Sequence, residues 1–189
     1  MIGVKASHLL VLLALTACAL VATAGPANAA AKRETPCEHA NLQPAQGNLA
    51  TVRAAVLCLH NRERSARGLP RLTEHARLRE AAAKHSAHMV ADHFFAHDTP
   101  SGASMADRVL RTGYAANSAW TVGENIAWGT GELATAAEIQ RSWMQSPAHK
   151  ANVLKRDFRE IGIGIALGAP VDAKRRDGAT YTADFGVRR

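Results

Sequence analysis

The stretch TVGENIAWG, residues 121–129, places one carboxylate inside an otherwise apolar, strand-like run. β-Branched and aromatic side chains favour an extended backbone, so this stretch predicts a strand. A buried carboxylate is costly unless it is hydrogen-bonded, paired with a cation or bound to a metal. Glu124 therefore either faces solvent or belongs to a site, and the rest of the chain has to distinguish these two interpretations.

The amino terminus has the pattern of a secretory signal peptide. Lys5 and His8 precede an apolar run over residues 9–24, and GPANAA follows at 25–30. A basic start, an apolar middle and a cleavage site of the form Ala-x-Ala characterise such peptides. We therefore expect residues 1–30 to be removed and the mature chain to be secreted or associated with the cell envelope.

Two other interpretations of this segment stay open. Leu15-Thr16-Ala17-Cys18 has the form of a bacterial lipoprotein signal, in which Cys18 would carry the lipid. An uncleaved membrane anchor is the other alternative, although the apolar run is shorter than the roughly 20 residues that span a bilayer. No later run reaches that length, so the sequence predicts no transmembrane segment in the mature chain.

The mature chain is basic. Removing Lys5 with the signal leaves 22 of the 23 Lys and Arg residues against 16 Asp and Glu, a net charge of +6. This charge favours weak association with anionic cell-wall polymers, lipid headgroups or nucleic acid. No basic run is interleaved with aromatic residues, so specific nucleic-acid binding is not predicted.

Two cysteines remain after the signal is removed. An even pair in an exported chain predicts one disulfide, between Cys37 and Cys58, with two free thiols as the alternative. Residues 31–47 contain two prolines and show no periodicity. We expect this irregular segment to be tethered by the disulfide to the helix that carries Cys58.

Apolar periodicity predicts the remaining elements. These are helices over 48–68, over 72–94 with Thr73 as the cap, and from Ser101 or Ser104 to Gly113; an extended segment over 118–131; a helix over 134–146; a short turn or helical piece over 148–154; and alternating strands over 158–167 and 179–187. Helices followed by a strand, a helix and a hairpin predict an α+β fold with helices packed on a small antiparallel sheet.

Polar residues at the ends of these elements are the candidates for chemistry. His97, Glu124 and His149 together suit a divalent metal such as zinc, or a general acid–base set. Their spacings match no metal motif, and solvent-exposed or core histidines are the alternative. A triad of Ser146, His149 and Asp157 is a weaker hypothesis, because no nucleophile elbow accompanies the serine.

Six motifs occur in an order that resembles a known family. They are HNRERSARGLPRL, HSAHMVADHFFAHDTPSG, GENIAWG, SWMQSPAHKANVL, EIGIGIAL and YTADFG. Together they resemble the CAP superfamily (cysteine-rich secretory proteins, antigen 5, pathogenesis-related 1), or SCP domain, in its small exported bacterial form. The resemblance implies an α-β-α sandwich over residues 48–189, with a central antiparallel sheet between helical layers and an open cleft.

The resemblance also implies a cleft with two histidines and two glutamates, which bind zinc in some members. His97, Glu124 and His149 match three of these positions. The fourth does not match, because Ser146 stands three residues after the helix tryptophan, where a glutamate is expected. Glu160 is a possible substitute without a supporting motif. We therefore expect Ser146 to line the cleft and zinc to be the only cofactor to consider.

Three functions follow as hypotheses. The first is a non-catalytic module that binds a lipid or a cell-wall polymer, or acts in host interaction, as the resemblance implies. The second is a hydrolase of a peptide, glycan or lipid ester in which zinc activates water. The third is an adhesion domain that binds anionic polymers through its basic surface. The absence of a hydrolase motif favours the first, and the sequence indicates no oligomeric state.

Overall fold

The computed structural model describes residues 36–115, 119–171 and 177–189, all within the unit Glu34–Arg189. The predicted signal peptide and Cys18 lie outside the described residues. Among the helices that are described, none has the length and apolar character needed to cross a membrane.

The described elements alternate between helices and strands. The helices are α1 Leu49–Ser65, α2 Ala76–Ala91, α3 Met105–Arg111, α4 Ala136–Gln145 and α5 Pro147–Leu154. The strands are β1 Thr73–Glu74, β2 Trp120–Thr130, β3 Glu160–Leu167 and β4 Gly178–Arg188, and a short 3-10 helix spans Gly131–Ala134. The sheet order is β1-β3-β4-β2. The predicted mixed sandwich is confirmed, with one difference: β1 runs parallel to β3.

One face of the sheet carries the larger hydrophobic core. Ile161, Ile163 and Ile165 of β3 lie opposite Phe185, Ala183 and Tyr181 of β4, as the alternating pattern predicts. These side chains form one buried cluster with residues of α1, α4 and α5. Trp143 belongs to this core, where its Nε1 donates to the carbonyl of Ile126 at 3.2 Å.

The opposite face is covered by α2. Gly162 and Gly164 lie on this face of β3, and the α2 backbone passes directly over them. A Cβ at Gly162 would lie 2.0 Å from the carbonyl carbon of Leu78, and one at Gly164 would lie 2.2 Å from that of Ala82. Because these two glycines have no Cβ, the backbone of α2 can pack directly on β3, and a side chain at either position would clash with α2.

One predicted helix start is wrong, and one that was left open is decided by the structure. Thr73 does not cap α2, because Thr73 and Glu74 pair with β3 and the helix begins only at Ala76. His75 is the cap instead, and its Nδ1 accepts from the backbone N–H of Arg77 at 3.2 Å. For α3 the structure selects Ser104, which forms a reciprocal capping box with Asp107.

The predicted disulfide is confirmed. Cys37 and Cys58 are bonded with an S–S distance of 2.05 Å, which attaches the irregular segment before α1 to that helix. Trp128 of β2 is 37% exposed. It lines a small surface pocket together with the exposed Leu133.

Candidate functional site

Glu124 is buried in the middle of β2, and both of its oxygens are engaged. Its Oε1 lies 2.7 Å from Nδ1 of His97, and its Oε2 accepts from Nη2 of Arg108. The residue is 5% exposed. Of the two interpretations of Glu124, the structure therefore supports the second: the carboxylate is paired and belongs to a polar cluster.

Arg108 of α3 holds both the carboxylate and the loop that carries His97. Its Nη1 donates to the carbonyl of His97 at 2.6 Å and to that of Ala103 at 3.3 Å. One guanidinium thus fixes the position of an acid and of the imidazole that binds this acid. Sequence reasoning missed Arg108, because an arginine on a short helix gives no local signal that it pairs with Glu124 on a strand.

Asp184 adds a second carboxyl group to the cluster. It is fully buried on β4 and lies directly opposite Glu124 in the antiparallel ladder. No donor among the described residues reaches either of its oxygens. Burial raises the pKa of Asp184 well above its ordinary value, and the negative charge of Glu124 raises this pKa further. Asp184 therefore holds its proton to a higher pH than an exposed aspartate does.

Glu124 itself is ionised. Burial opposes ionisation, but the hydrogen bond from His97 and the charge of Arg108 outweigh it, so the pKa of Glu124 lies below its ordinary value. Of the two carboxyl groups, Glu124 therefore ionises at the lower pH. Sequence reasoning placed only Glu124 here, because the motif YTADFG does not show that its aspartate pairs across the sheet with Glu124.

The two predicted histidines approach the cluster from different elements. His97 follows α2, and its side chain is 53% exposed. Its hydrogen bond to Glu124 raises the pKa of His97. His149 lies on α5, where burial lowers its pKa and the charge of His97 lowers it further. The structure thus brings His97 into contact with Glu124 and places His149 within electrostatic range of His97.

Two asparagines fix α5 to the edge of the sheet. Asn125 donates to the carbonyl of His149 at 3.0 Å and so joins β2 to the backbone of α5. Asn152 donates to the carbonyl of Glu124 at 3.0 Å and to Oδ1 of Asn125 at 2.9 Å. Because β2 is an edge strand, these bonds also satisfy backbone groups that would otherwise be open.

Ser146 and Glu160 have other roles than a fourth ligand. Ser146 joins α4 to α5 and makes no side-chain capping bond, while its carbonyl accepts from Lys150 at 2.9 Å. Glu160 accepts from the hydroxyl of Tyr114 at 2.5 Å and from Arg188 at 2.6 Å. The carboxyl group that accompanies Glu124 is Asp184.

The predicted zinc ligands do not fit the ion as they stand. The two oxygens of Glu124 face Arg108 and Nδ1 of His97, so a zinc ion at this carboxylate would have to displace the guanidinium or the imidazole. Over residues 36–115, 119–171 and 177–189, no group of three or more His, Cys, Asp or Glu side chains is placed to hold a metal ion. We therefore derive no chemical step through zinc.

Comparisons with known proteins agree with the fold. A relative from Bacillus subtilis (strain 168), the uncharacterized protein YkwD, is 32% identical over 138 residues, which cover 72% of this chain and 51% of the relative. The chain thus spans about half the length of that curated relative.

Two solved structures share the fold. An extracellular protein with an SCP domain from Bacillus anthracis has a TM-score of 0.59 at 24% identity. The match covers 77% of this chain and 45% of the Bacillus anthracis chain. An outer surface protein from Borrelia burgdorferi has a TM-score of 0.59 at 17% identity, and the match covers 71% of this chain and 90% of the Borrelia chain.

The model of the cysteine-rich secretory protein family, CAP, matches residues 57–182. The chain belongs to the CAP family.

Proposed function

We propose that the cleft at His97 and His149 binds a component of the cell envelope, a lipid or a cell-wall polymer, without converting it. The observation that carries this proposal is the double engagement of Glu124 by His97 and Arg108. A general base has to lie within reach of a substrate proton. Glu124 is 5% exposed, and each of its oxygens already accepts from a protein donor, so the acid is shielded from a substrate.

The geometry around Ser146 also favours binding over hydrolysis. A serine nucleophile needs a histidine oriented by an acid. Asp157 lies instead 3.4 Å from Arg189, and no hydrogen bond joins Asp157 to His149 among the described residues. His97 is the exposed group of the cleft, and because its Nδ1 donates to Glu124, its Nε2 is left for a ligand.

Export is part of the same proposal. The pattern over residues 1–30 is that of a secretory signal, and the disulfide between Cys37 and Cys58 suits an oxidising compartment. Two structural neighbours are described as an extracellular protein and an outer surface protein. A protein released to or beyond the envelope would meet lipid surfaces and wall polymers first.

The test is co-sedimentation of the mature chain, from residue 31, with purified cell-wall fragments and with phospholipid vesicles. We expect the wild type to sediment with one of them and His97→Ala to lose at least about fivefold in affinity, roughly the value of one hydrogen bond. His93→Ala is the matched control, because His93 is exposed on the same loop region outside the cluster.

Soluble products in the supernatant are measured in the same samples. We expect none above the level of a protein-free control. Products released by the wild type and not by His97→Ala would show that the cleft is catalytic. If added salt abolishes the binding of wild type and His97→Ala equally, the basic surface is responsible for the binding instead.

A further inference from the structure

A second concave site lies beside the cleft, between α2, the loop after His97 and α3. It has a volume of about 230 Å³. Its polar lining consists of cationic groups and hydroxyls, including Lys84, Arg108, Arg111, Thr99, Ser101 and Thr112. No Asp or Glu occurs among the described residues that line it. Glu80 contacts Lys84 at 2.6 Å but is not part of the lining.

Two buried nitrogen atoms at this pocket have no partner. They are Nε of Arg108 and Nδ1 of His85, in residues that are 9% and 1% exposed. Both residues line the pocket. Buried polar atoms in native proteins are nearly always hydrogen-bonded, so two orphaned atoms in residues that line one pocket indicate a missing partner.

The chemistry of the two orphaned atoms is complementary. Nε of Arg108 carries a hydrogen and needs an acceptor. Nε2 of His85 lies 3.0 Å from the carbonyl of Ala96 and has to donate to it, which leaves a lone pair on Nδ1 in the neutral ring. Burial lowers the pKa of His85, which favours this neutral form. Nδ1 therefore needs a donor.

We propose that this pocket binds a phosphate group that keeps a proton, as free phosphate or as a small phosphate monoester. An ionised phosphate oxygen would accept from Nε of Arg108, and the P–OH group would donate to Nδ1 of His85. Lys84 and Arg111 supply positive charge at the pocket. A volume of about 230 Å³ is below the roughly 300–1,000 Å³ of drug-sized sites, which restricts the ligand to a small one.

This inference stands apart from the proposed cleft function. The pocket shares Arg108 with the cleft, but Lys84, His85 and Arg111 do not contact Glu124 through any described hydrogen bond. A loss of binding to wall fragments or vesicles in His97→Ala concerns the cleft. A loss of phosphate binding in Arg111→Gln concerns the pocket.

The first test is calorimetric titration of the mature chain with inorganic phosphate and with sulfate at about pH 6, where phosphate keeps a proton and sulfate has none. We expect phosphate to bind roughly tenfold or more tightly, because sulfate leaves Nδ1 of His85 unpaired. Equal affinities for the two anions, or no phosphate binding, would overturn the proposal. This comparison uses the unaltered chain, so it does not depend on a buried variant that folds.

The second test uses Arg111→Gln and Arg71→Gln, which each remove one exposed arginine. We expect Arg111→Gln to weaken phosphate binding at least about fivefold and Arg71→Gln to leave it unchanged. Equal effects would show attraction by net charge alone and would overturn the assignment to the pocket. Glycerol 3-phosphate and vesicles that contain phosphatidic acid then distinguish a soluble monoester from a lipid headgroup.

Discussion

At the residue scale, the cluster around Glu124 is a small buried network of charged and polar groups. The pKa of Glu124 is lowered and that of Asp184 is raised, and Arg108 and His97 contact the carboxylate of Glu124. Buried ionic groups are costly unless such partners surround them. The sequence indicates that Glu124 is unusual because it interrupts an apolar strand. It does not reveal Arg108 or Asp184, which become its neighbours only through folding.

The protonation of Asp184 leads to a prediction about its neutral isostere. Because burial raises the pKa of Asp184, Asp184→Asn should lower the stability at neutral pH by no more than about 1 kcal/mol, and a gain is expected where wild-type Asp184 has ionised. Glu124→Gln removes a buried ionised partner of Arg108 and should cost about 3 kcal/mol. Urea unfolding of both variants checks this order, and a larger loss for Asp184→Asn would contradict the assigned proton.

The same pair has a characteristic pH dependence. The folded pKa of Asp184 is raised, so the folded state binds the extra proton between the ordinary value near 3.8 and the higher folded value. The contribution of Asp184 to stability therefore decreases as the pH rises through this window. We expect the free energy of unfolding of Asp184→Asn to increase relative to that of wild type over the same pH window. A difference that does not change with pH would contradict the raised pKa of Asp184.

At the element scale, the strands and most helices follow from periodicity, and the helix ends do not. The alternation of isoleucines predicts β3 correctly because the pattern has a period of two on a covered face. The beginning of α2 is missed because Thr73 pairs with β3, a long-range interaction that local capping preferences cannot indicate. The glycines of β3 are visible in the sequence, but the helix that passes over them is not.

The close contact of α2 with β3 leads to a prediction about Gly164. Gly164→Ala would place a Cβ 2.2 Å from the backbone of Ala82, so α2 and β3 have to separate. We expect a loss of at least about 2 kcal/mol in the free energy of unfolding, as for an overpacked core. Gly47→Ala is the control, since no atom lies within 4 Å of its added Cβ. Equal stabilities of the two variants would contradict the packing.

At the scale of the whole molecule, the sandwich follows from the sequence more readily than its surface sites do. The six motifs, in their order along the chain, predict the helical layers, the central sheet and the cleft together. The pocket between α2 and α3 was not predicted, because its lining comes from several elements and matches no motif. The second carboxyl group was missed because the motif that contains Asp184 does not show that this residue lies beside Glu124. Sites of this kind are properties of the packed molecule.

The disulfide stabilises the whole unit through its first segment. Cys37 and Cys58 are separated by 21 positions, and a loop of this size contributes about 3 kcal/mol in the chain-entropy model. Replacing both cysteines by alanine should therefore lower the Tm by roughly 6–12 °C. Reducing agent should lower the Tm of the wild type similarly and leave the double variant unchanged. A reductant effect on the double variant would contradict this assignment.

The most direct test of the site is an NMR titration of the His97 imidazole in wild type and Glu124→Gln. A raised pKa stabilises the fold below about pH 6.5, and this contribution is lost as the pH rises through the folded pKa. We expect a wild-type pKa above 6.5, with Nδ1 protonated, and a lower pKa in Glu124→Gln. Glu138→Gln, which removes an exposed partner of Arg141, should leave the pKa of His97 unchanged. A wild-type pKa at or below 6.5, or one that Glu124→Gln does not lower, would contradict the hydrogen-bonded cluster on which the proposed binding cleft rests.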